Sequence, residues 1–217
     1  MMRLGLPWRR SSPSPPTPPF ASQAPATKKL ISSNALEHVA TRLEDVSPCT
    51  ILDLGPPISE NLAFYARYGA KITVADFYRF YRPLRGTSLE RASTRASLLD
   101  ELVPHNASTR FDLVMAWDLL NYLSLDEIAW LMDGMSDLCS TGALMFAIVT
   151  GSGDMPETPS SYSILDAQTL LSETRASRVR PSPNHSEHAL ARVTPRLRVD
   201  RRFQLRNATA EFLFNFR

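Results

Sequence analysis

Long apolar runs are missing from this sequence. No stretch approaches the roughly 18 to 20 consecutive apolar residues that a membrane-spanning helix requires, which argues against the bilayer as a partner. No apolar stretch of about 7 to 15 residues follows the first basic residues either, so a secretory signal is disfavoured. Cysteine is scarce: Cys49 and Cys139 both sit among apolar neighbours, too few for a disulfide framework or a Cys-rich metal site. They read as reduced core residues, a pattern that fits a cytoplasmic protein. Acidic side chains are absent from residues 1–36, which carry a charge of +5, whereas residues 37–174 sum to −10 and residues 175–217 to +7. An acidic middle between basic ends argues against a nucleic-acid-binding core, because phosphate binding needs a basic face on the folded body.

What remains is enough for one domain with a tail: 217 residues, 43% of them hydrophobic. Residues 1–26 hold seven of the seventeen prolines and almost no periodic apolar pattern, so residues 1–33 are expected to be a disordered tail and residues 34–217 the folded domain. The Arg-rich, acid-free composition also suits an organelle transit peptide, but the prolines would break the helix that such a peptide forms.

From residue 34 helices and strands alternate. Asn34 with Glu37 suggests a capping box for a helix over about 34–44, and Cys49–Leu54 is a short apolar run that reads as a buried strand. Ser59 is positioned to cap the next helix, which Gly69 ends, and Lys71–Ala75 is the next strand. A helix is favoured over about 88–102. Phe111–Ala116 reads as a buried strand and Ala143–Val149 as a fully apolar one, and between them Ser124 and Glu127 form a capping box for a helix. Ile164–Leu171 reads as helical from its spacing. Val199–Leu205 and Ala210–Phe216 suit a hairpin. Near-continuous apolar strands alternating with helices imply an α/β protein with a parallel sheet covered on both faces. Ligands then belong at the carboxyl ends of the central strands, just after Leu54, Ala75 and Ala116.

Those ends carry polar residues. The first strand runs into Asp53-Leu54-Gly55-Pro56-Pro57-Ile58-Ser59, and the second ends at Asp76, where a carboxylate is placed to accept hydrogen bonds from ribose hydroxyls. Together with Phe111-Asp-Leu-Val-Met-Ala-Trp-Asp-Leu-Leu-Asn-Tyr-Leu123, this resembles the class I S-adenosylmethionine-dependent methyltransferases over roughly residues 35–150. The resemblance implies a Rossmann-like, doubly wound, mostly parallel seven-stranded sheet with a C-terminal antiparallel hairpin, and S-adenosylmethionine as cofactor. Carried over by residue, it places Asp53, Gly55, Pro57 and Ser59 on the glycine turn against the cofactor, Asp76 on the ribose, and Trp117 and Asp118 at the pocket lip. Asp100 falls where the family often has an acid near the adenine.

The turn is degenerate. Pro57 and Ser59 stand where the family has its second and third glycines, and both put side chains into space that a close-approaching cofactor would use. S-adenosylmethionine carries no phosphate, so such a turn tolerates changes that would abolish a dinucleotide site. No G-x-G-x-x-G is present, which argues against a nicotinamide enzyme. Each site residue also has a plainer reading: Asp53 bonding loop amides, Gly55 serving a turn, Asp76 and Asp118 capping the segments that follow them, Trp117 packing. The Asn-Pro-Pro-aromatic motif associated with nitrogen methylation of bases or glutamine is absent. The expected function is methyl transfer to a small molecule, its rival a methyltransferase-like scaffold that has lost catalysis and binds protein partners. His185-x-x-His188 lacks a third metal ligand, and the aromatic and Arg cluster from Phe77 to Arg85 either lines a substrate mouth or packs over the sheet edge.

Overall fold

Strands form where apolar residues run together. In the computed structural model, which describes residues 26–86, 95–206 and 208–217, the central sheet has six strands. They are β2 (Thr50–Asp53), β3 (Lys71–Val74), β4 (Phe111–Trp117), β5 (Cys139–Thr150), β10 (Leu197–Gln204) and β11 (Thr209–Phe216). Their order is β10-β11-β5-β4-β2-β3. The pairs β3/β2, β2/β4 and β4/β5 are parallel, and β5/β11 and β11/β10 are antiparallel. The C-terminal hairpin is therefore present, but the sheet has six strands among the described residues and not seven. Of the helix expected over about 88–102, Arg95–Leu102 is present as α4, and residues 88–94 lie outside the described residues.

Both faces of the sheet are covered, as continuous apolar strands demand. Along β4 the side chains alternate: Leu113, Met115 and Trp117 face one core, while Val114 and Ala116 face the other. The first core is closed by α1 (Asn34–Asp45) and α2 (Ser59–Ala66), through Leu36, Val39, Leu43, Phe64 and Tyr65. The second is closed by α3 (Phe77–Tyr81), α4, α5 (Leu125–Leu138) and α6 (Glu187–Val193), through Phe77, Tyr81, Leu99, Ile128, Leu131 and Leu190. The capping box of α5 is formed as its sequence implies: Ser124 Oγ accepts from the Glu127 amide, and Glu127 accepts from the Ser124 amide at 2.6 Å. α1 is capped one residue earlier than expected, by Ser33, whose hydroxyl accepts from Leu36 N at 3.0 Å.

Two expectations are corrected. The segment read as a helix over Ile164–Leu171 is a hairpin, β7 (Ser161–Asp166) and β8 (Thr169–Thr174). Ile164, Ala167 and Leu171 mimic helical spacing, but burial follows a period of two: Tyr162 and Ile164 point inward on β7, Leu170 and Ser172 on β8. Asp166 makes the turn by accepting from Gln168 N at 2.8 Å. The second correction concerns the expected tail, which ends too late at residue 33. β1 (Thr27–Ser32) pairs antiparallel with β8, so the folded body begins by Thr27, and β1-β8-β7 form a separate three-stranded sheet. The remainder of the expected tail, residues 1–25, lies outside the described residues. A short pair, β6 (Asp154–Pro156) with β9 (Val179–Pro181), completes the elements.

Candidate functional site

The carboxyl ends of β2, β3 and β4 meet at one edge of the sheet, and backbone bonds fix their loops. Leu54 N donates to Met115 O at 3.0 Å, Asp76 N to Gly55 O at 3.1 Å, and Phe77 N to Leu54 O at 2.9 Å. Two non-glycine residues here adopt the left-handed conformation, Asp76 with φ 42° and Trp117 with φ 50°. Such backbone costs of order 1 to 3 kcal/mol and clusters at functional sites. At Trp117 it accompanies a register shift in the pairing of β4 with β5, a bulge that re-aims the side chain.

The indole is aimed at the first turn. Trp117 Nε1 donates to Asp53 Oδ1 at 2.6 Å, and the ring stacks on Tyr162 with centroids 5.6 Å apart and planes 2° from parallel. Gly55 is a glycine for this reason: a Cβ there would lie 2.7 Å from Trp117 Cδ1 and 2.9 Å from Nε1. Asp53 is accordingly held from within, accepting also from Gly55 N at 2.9 Å and from the Tyr65 hydroxyl at 3.1 Å. Burial still outweighs these donors and holds the Asp53 pKa up at about 6. The loop-amide and packing readings of Asp53 and Trp117 thus describe real contacts.

The other expected residues fall in different places. Asp76 lines a cavity of about 160 Å³ together with Gly55, Trp117 and Asp118. Its side chain makes no capping bond to α3, and its charged neighbour is Arg79 at 3.8 Å. Burial raises its pKa, with Arg79 opposing. Pro57 and Ser59 are exposed and do not line that cavity; Pro56 and Ile58 do. Ser59 does not cap α2 but is its first residue. Asp100 lies on α4, its side chain mostly exposed, paired with His105 at 3.5 Å.

Asp118 is 6% exposed, and its side chain does not cap the short 3-10 turn Leu119–Tyr122. Its Oδ2 accepts instead from Ser160 N at 3.0 Å and from the Tyr162 hydroxyl at 3.3 Å. Burial, only partly offset by these donors, pushes its pKa up to about 7. Asp118, Ser160 and Tyr162 form the wall between the 160 Å³ cavity and a second, of about 790 Å³, which lies between the three-stranded sheet and the ends of β4 and β5.

Sequence reasoning missed Tyr162 and Ser160, which no motif marks, and Asn61, which holds β7. Asn61 donates to Tyr162 O at 2.8 Å and accepts from Ile164 N at 2.7 Å, pinning β7 to α2. The aromatic cluster after Asp76 divides between its two readings: Phe77 and Tyr81 pack in the core, while Tyr78 and Arg79 line the smaller cavity. His185 bonds the Leu123 carbonyl at 2.9 Å, and no group of three metal-binding side chains occurs among the described residues. No helix among them is long and apolar enough to cross a membrane.

S-adenosylmethionine would have to share this edge with Trp117. Asp76 suits a ribose, since its carboxylate is the one at the edge without a hydrogen-bond donor among the described residues. The amino-acid half does not fit: the space over Gly55 holds the indole, and Asp53, 2% exposed, accepts from three internal donors. The 160 Å³ available is about half the lower end of the ~300 to 1,000 Å³ usual for ligand pockets.

No family model and no curated protein matches this sequence. Solved structures with a similar fold include an S-adenosylmethionine-dependent methyltransferase from Clostridium acetobutylicum, 10% identical, with 84% of this chain and 89% of that one covered and a TM-score of 0.48. The PH0226 protein from Pyrococcus horikoshii is 11% identical over 84% and 88% of the two chains, with a TM-score of 0.49. The N-methyltransferase NodS from Bradyrhizobium japonicum is 14% identical over 84% and 97%, with a TM-score of 0.42.

Proposed function

We propose that this chain is a methyltransferase-like domain whose cofactor cleft is closed from within, and that it acts as a binding module through the larger chamber beside Asp118. The observation that carries this reading is the seating of Trp117, bonded to Asp53 at 2.6 Å and occupying the space over Gly55. A glycine turn that serves a ligand leaves its face open; here the open face is filled by a side chain of the same protein. The test is calorimetric titration with S-adenosylmethionine and S-adenosylhomocysteine. The wild-type protein should show no heat of binding at millimolar ligand.

A second reading is favoured by Asp76. A half-buried carboxylate in left-handed backbone, bordering a cavity that shares a wall with a second and larger one, is the arrangement that a ribose-binding acid and an adjoining acceptor chamber would show. In that reading the chain is an S-adenosylmethionine-dependent methyltransferase acting on a small molecule. Micromolar binding of either ligand to the wild-type protein, abolished by Asp76→Ala, would establish it and overturn the first.

A further inference from the structure

We infer that the 790 Å³ chamber binds an organic amine as its ammonium ion, seated on the Asp118 carboxylate; the inference names the ligand class of the binding module proposed above.

Asp118 is a buried acid without a counter-ion. It is 6% exposed, and among the described residues no Lys, Arg or His approaches it within 4 Å. Both of its bonds from other residues, from Ser160 N and the Tyr162 hydroxyl, fall on Oδ2. Oδ1 receives no bond from another described residue; the Asp118 backbone amide is a further donor to the carboxylate, and the residue lines the chamber. A buried carboxylate at the wall of a cavity with no cation near it is destabilised unless something charged and donating reaches it. Its raised pKa, driven by burial, is the same deficit expressed as proton affinity. An ammonium supplies both the charge and the donors, and charge-assisted bonds of this kind are about twice as strong as neutral ones.

The rest of the chamber is consistent with a ligand that is cationic at its inner end. Lys29 and Arg206, the basic residues of the wall, are exposed residues, whereas Asp118 is buried. Asp154, also exposed, lies on the same wall, so the rim carries two basic groups against one acid and stays net positive over the buried carboxylate, which favours an amine carrying an anionic or polar tail over a simple diamine. Anchoring is rigid. Asn121, next to the carboxylate, donates to Asp118 O at 3.0 Å and to Ile148 O at 3.0 Å and accepts from Thr150 N at 2.8 Å, so the loop after β4 is fixed to β5.

The experiment titrates the full chain with three amines, 4-aminobutyrate, n-butylamine and phenethylamine, and with their alcohol counterparts 4-hydroxybutyrate, n-butanol and phenethyl alcohol, followed by saturation-transfer NMR and calorimetry. At least one amine should bind, 4-aminobutyrate most tightly, and its alcohol should bind roughly tenfold or more weakly, the factor expected when a charge-assisted bond is lost. Asp118→Asn keeps an acceptor for Ser160 and Tyr162 and should lose amine binding by a similar factor. Ser32→Trp narrows the chamber from β1 without touching the carboxylate and should weaken all ligands together. Failure of all three amines at millimolar concentration, or equal binding by amine and alcohol, overturns the inference. Titration with S-adenosylmethionine is read separately: if that ligand binds, the closed-cleft reading fails while the amine result stands on its own.

Discussion

Gly55→Ala tests whether Trp117 closes the cleft. Gly55 does not have positive φ, so alanine meets no backbone penalty there and any cost is steric. The new methyl would lie 2.7 Å from Trp117 Cδ1, 2.9 Å from Nε1 and 3.1 Å from Asp53 Oδ1, and the first two distances are too short for any packed pair. The indole must move, and movement breaks its bond to Asp53 and its stack on Tyr162. Overpacking costs about 1 to 3 kcal/mol and loss of a bond to a carboxylate about 1.5 to 3, so a destabilisation of roughly 3 kcal/mol is expected. Urea unfolding should show a lower midpoint with unchanged slope. In a Trp117→Ala background the same substitution should cost less than about 0.5 kcal/mol, because the atoms it strikes are gone. Equal costs in both backgrounds would refute the argument.

Three further outcomes follow from the same contacts. Asp53 and Asp118 have folded pKa values raised to about 6 and about 7, so the folded state holds more protons than the unfolded one, and stability falls as pH rises from about 4 through 7. The swing is about 3 to 4 kcal/mol for each, and Asp53→Asn or Asp118→Asn should flatten the profile of unfolding free energy against pH. Glu127 and Glu173, whose pKa values are lowered, act in the opposite sense, and the stability they contribute is lost at more acid pH. Asn61→Ala leaves Tyr162 O and Ile164 N without partners and should cost about 2 to 4 kcal/mol, read as a lowered denaturation midpoint. Ser124→Ala removes one half of the α5 capping box and should cost about 1 kcal/mol by the same measurement.

How far the sequence could be read depended on how local the determinants are. The strands β2, β4 and β5 were legible because burial on both faces leaves a continuous apolar run, and α5 was legible because its capping box is complete within four residues. The β7-β8 hairpin was not, since apolar residues at 164, 167 and 171 satisfy a helical period as well as a strand pair joined by a short turn. β1 was hidden for another reason: its burial is slight, and its partner β8 lies more than a hundred residues away. The site shows the same division. Asp53, Gly55, Asp76, Trp117 and Asp118 could be placed at one edge from strand ends alone. That Trp117 would satisfy Asp53 follows only from register, which sets Asp53 beside Met115, and from the bulge that turns the next odd residue toward it. Tyr162 comes from β7, a strand that only from Ile164 onward carries an apolar spacing, and that spacing suits a helix as well.

Asp76 is the residue on which the two functional readings part, and its backbone supplies a test that needs no ligand. An L-residue in the left-handed region costs about 1 to 2 kcal/mol, a cost that glycine does not incur. The carboxylate returns little of it, because its contact with Arg79 is 3.8 Å long, Arg79 is mostly exposed, and exposed pairs contribute about 0 to 1 kcal/mol. Burial raises its pKa, so the charged form is itself disfavoured where it stands. Asp76→Gly should therefore stabilise the protein by about 1 kcal/mol, since the Asp76 N to Gly55 O bond survives the change. A costly carboxylate at the end of β3, bordering a cavity, is then one retained for something outside the fold, which favours the nucleoside reading. If Asp76→Gly instead destabilises the chain, the carboxylate holds its own loop, and Asp76 joins Asp53 and Trp117 in closing the cleft.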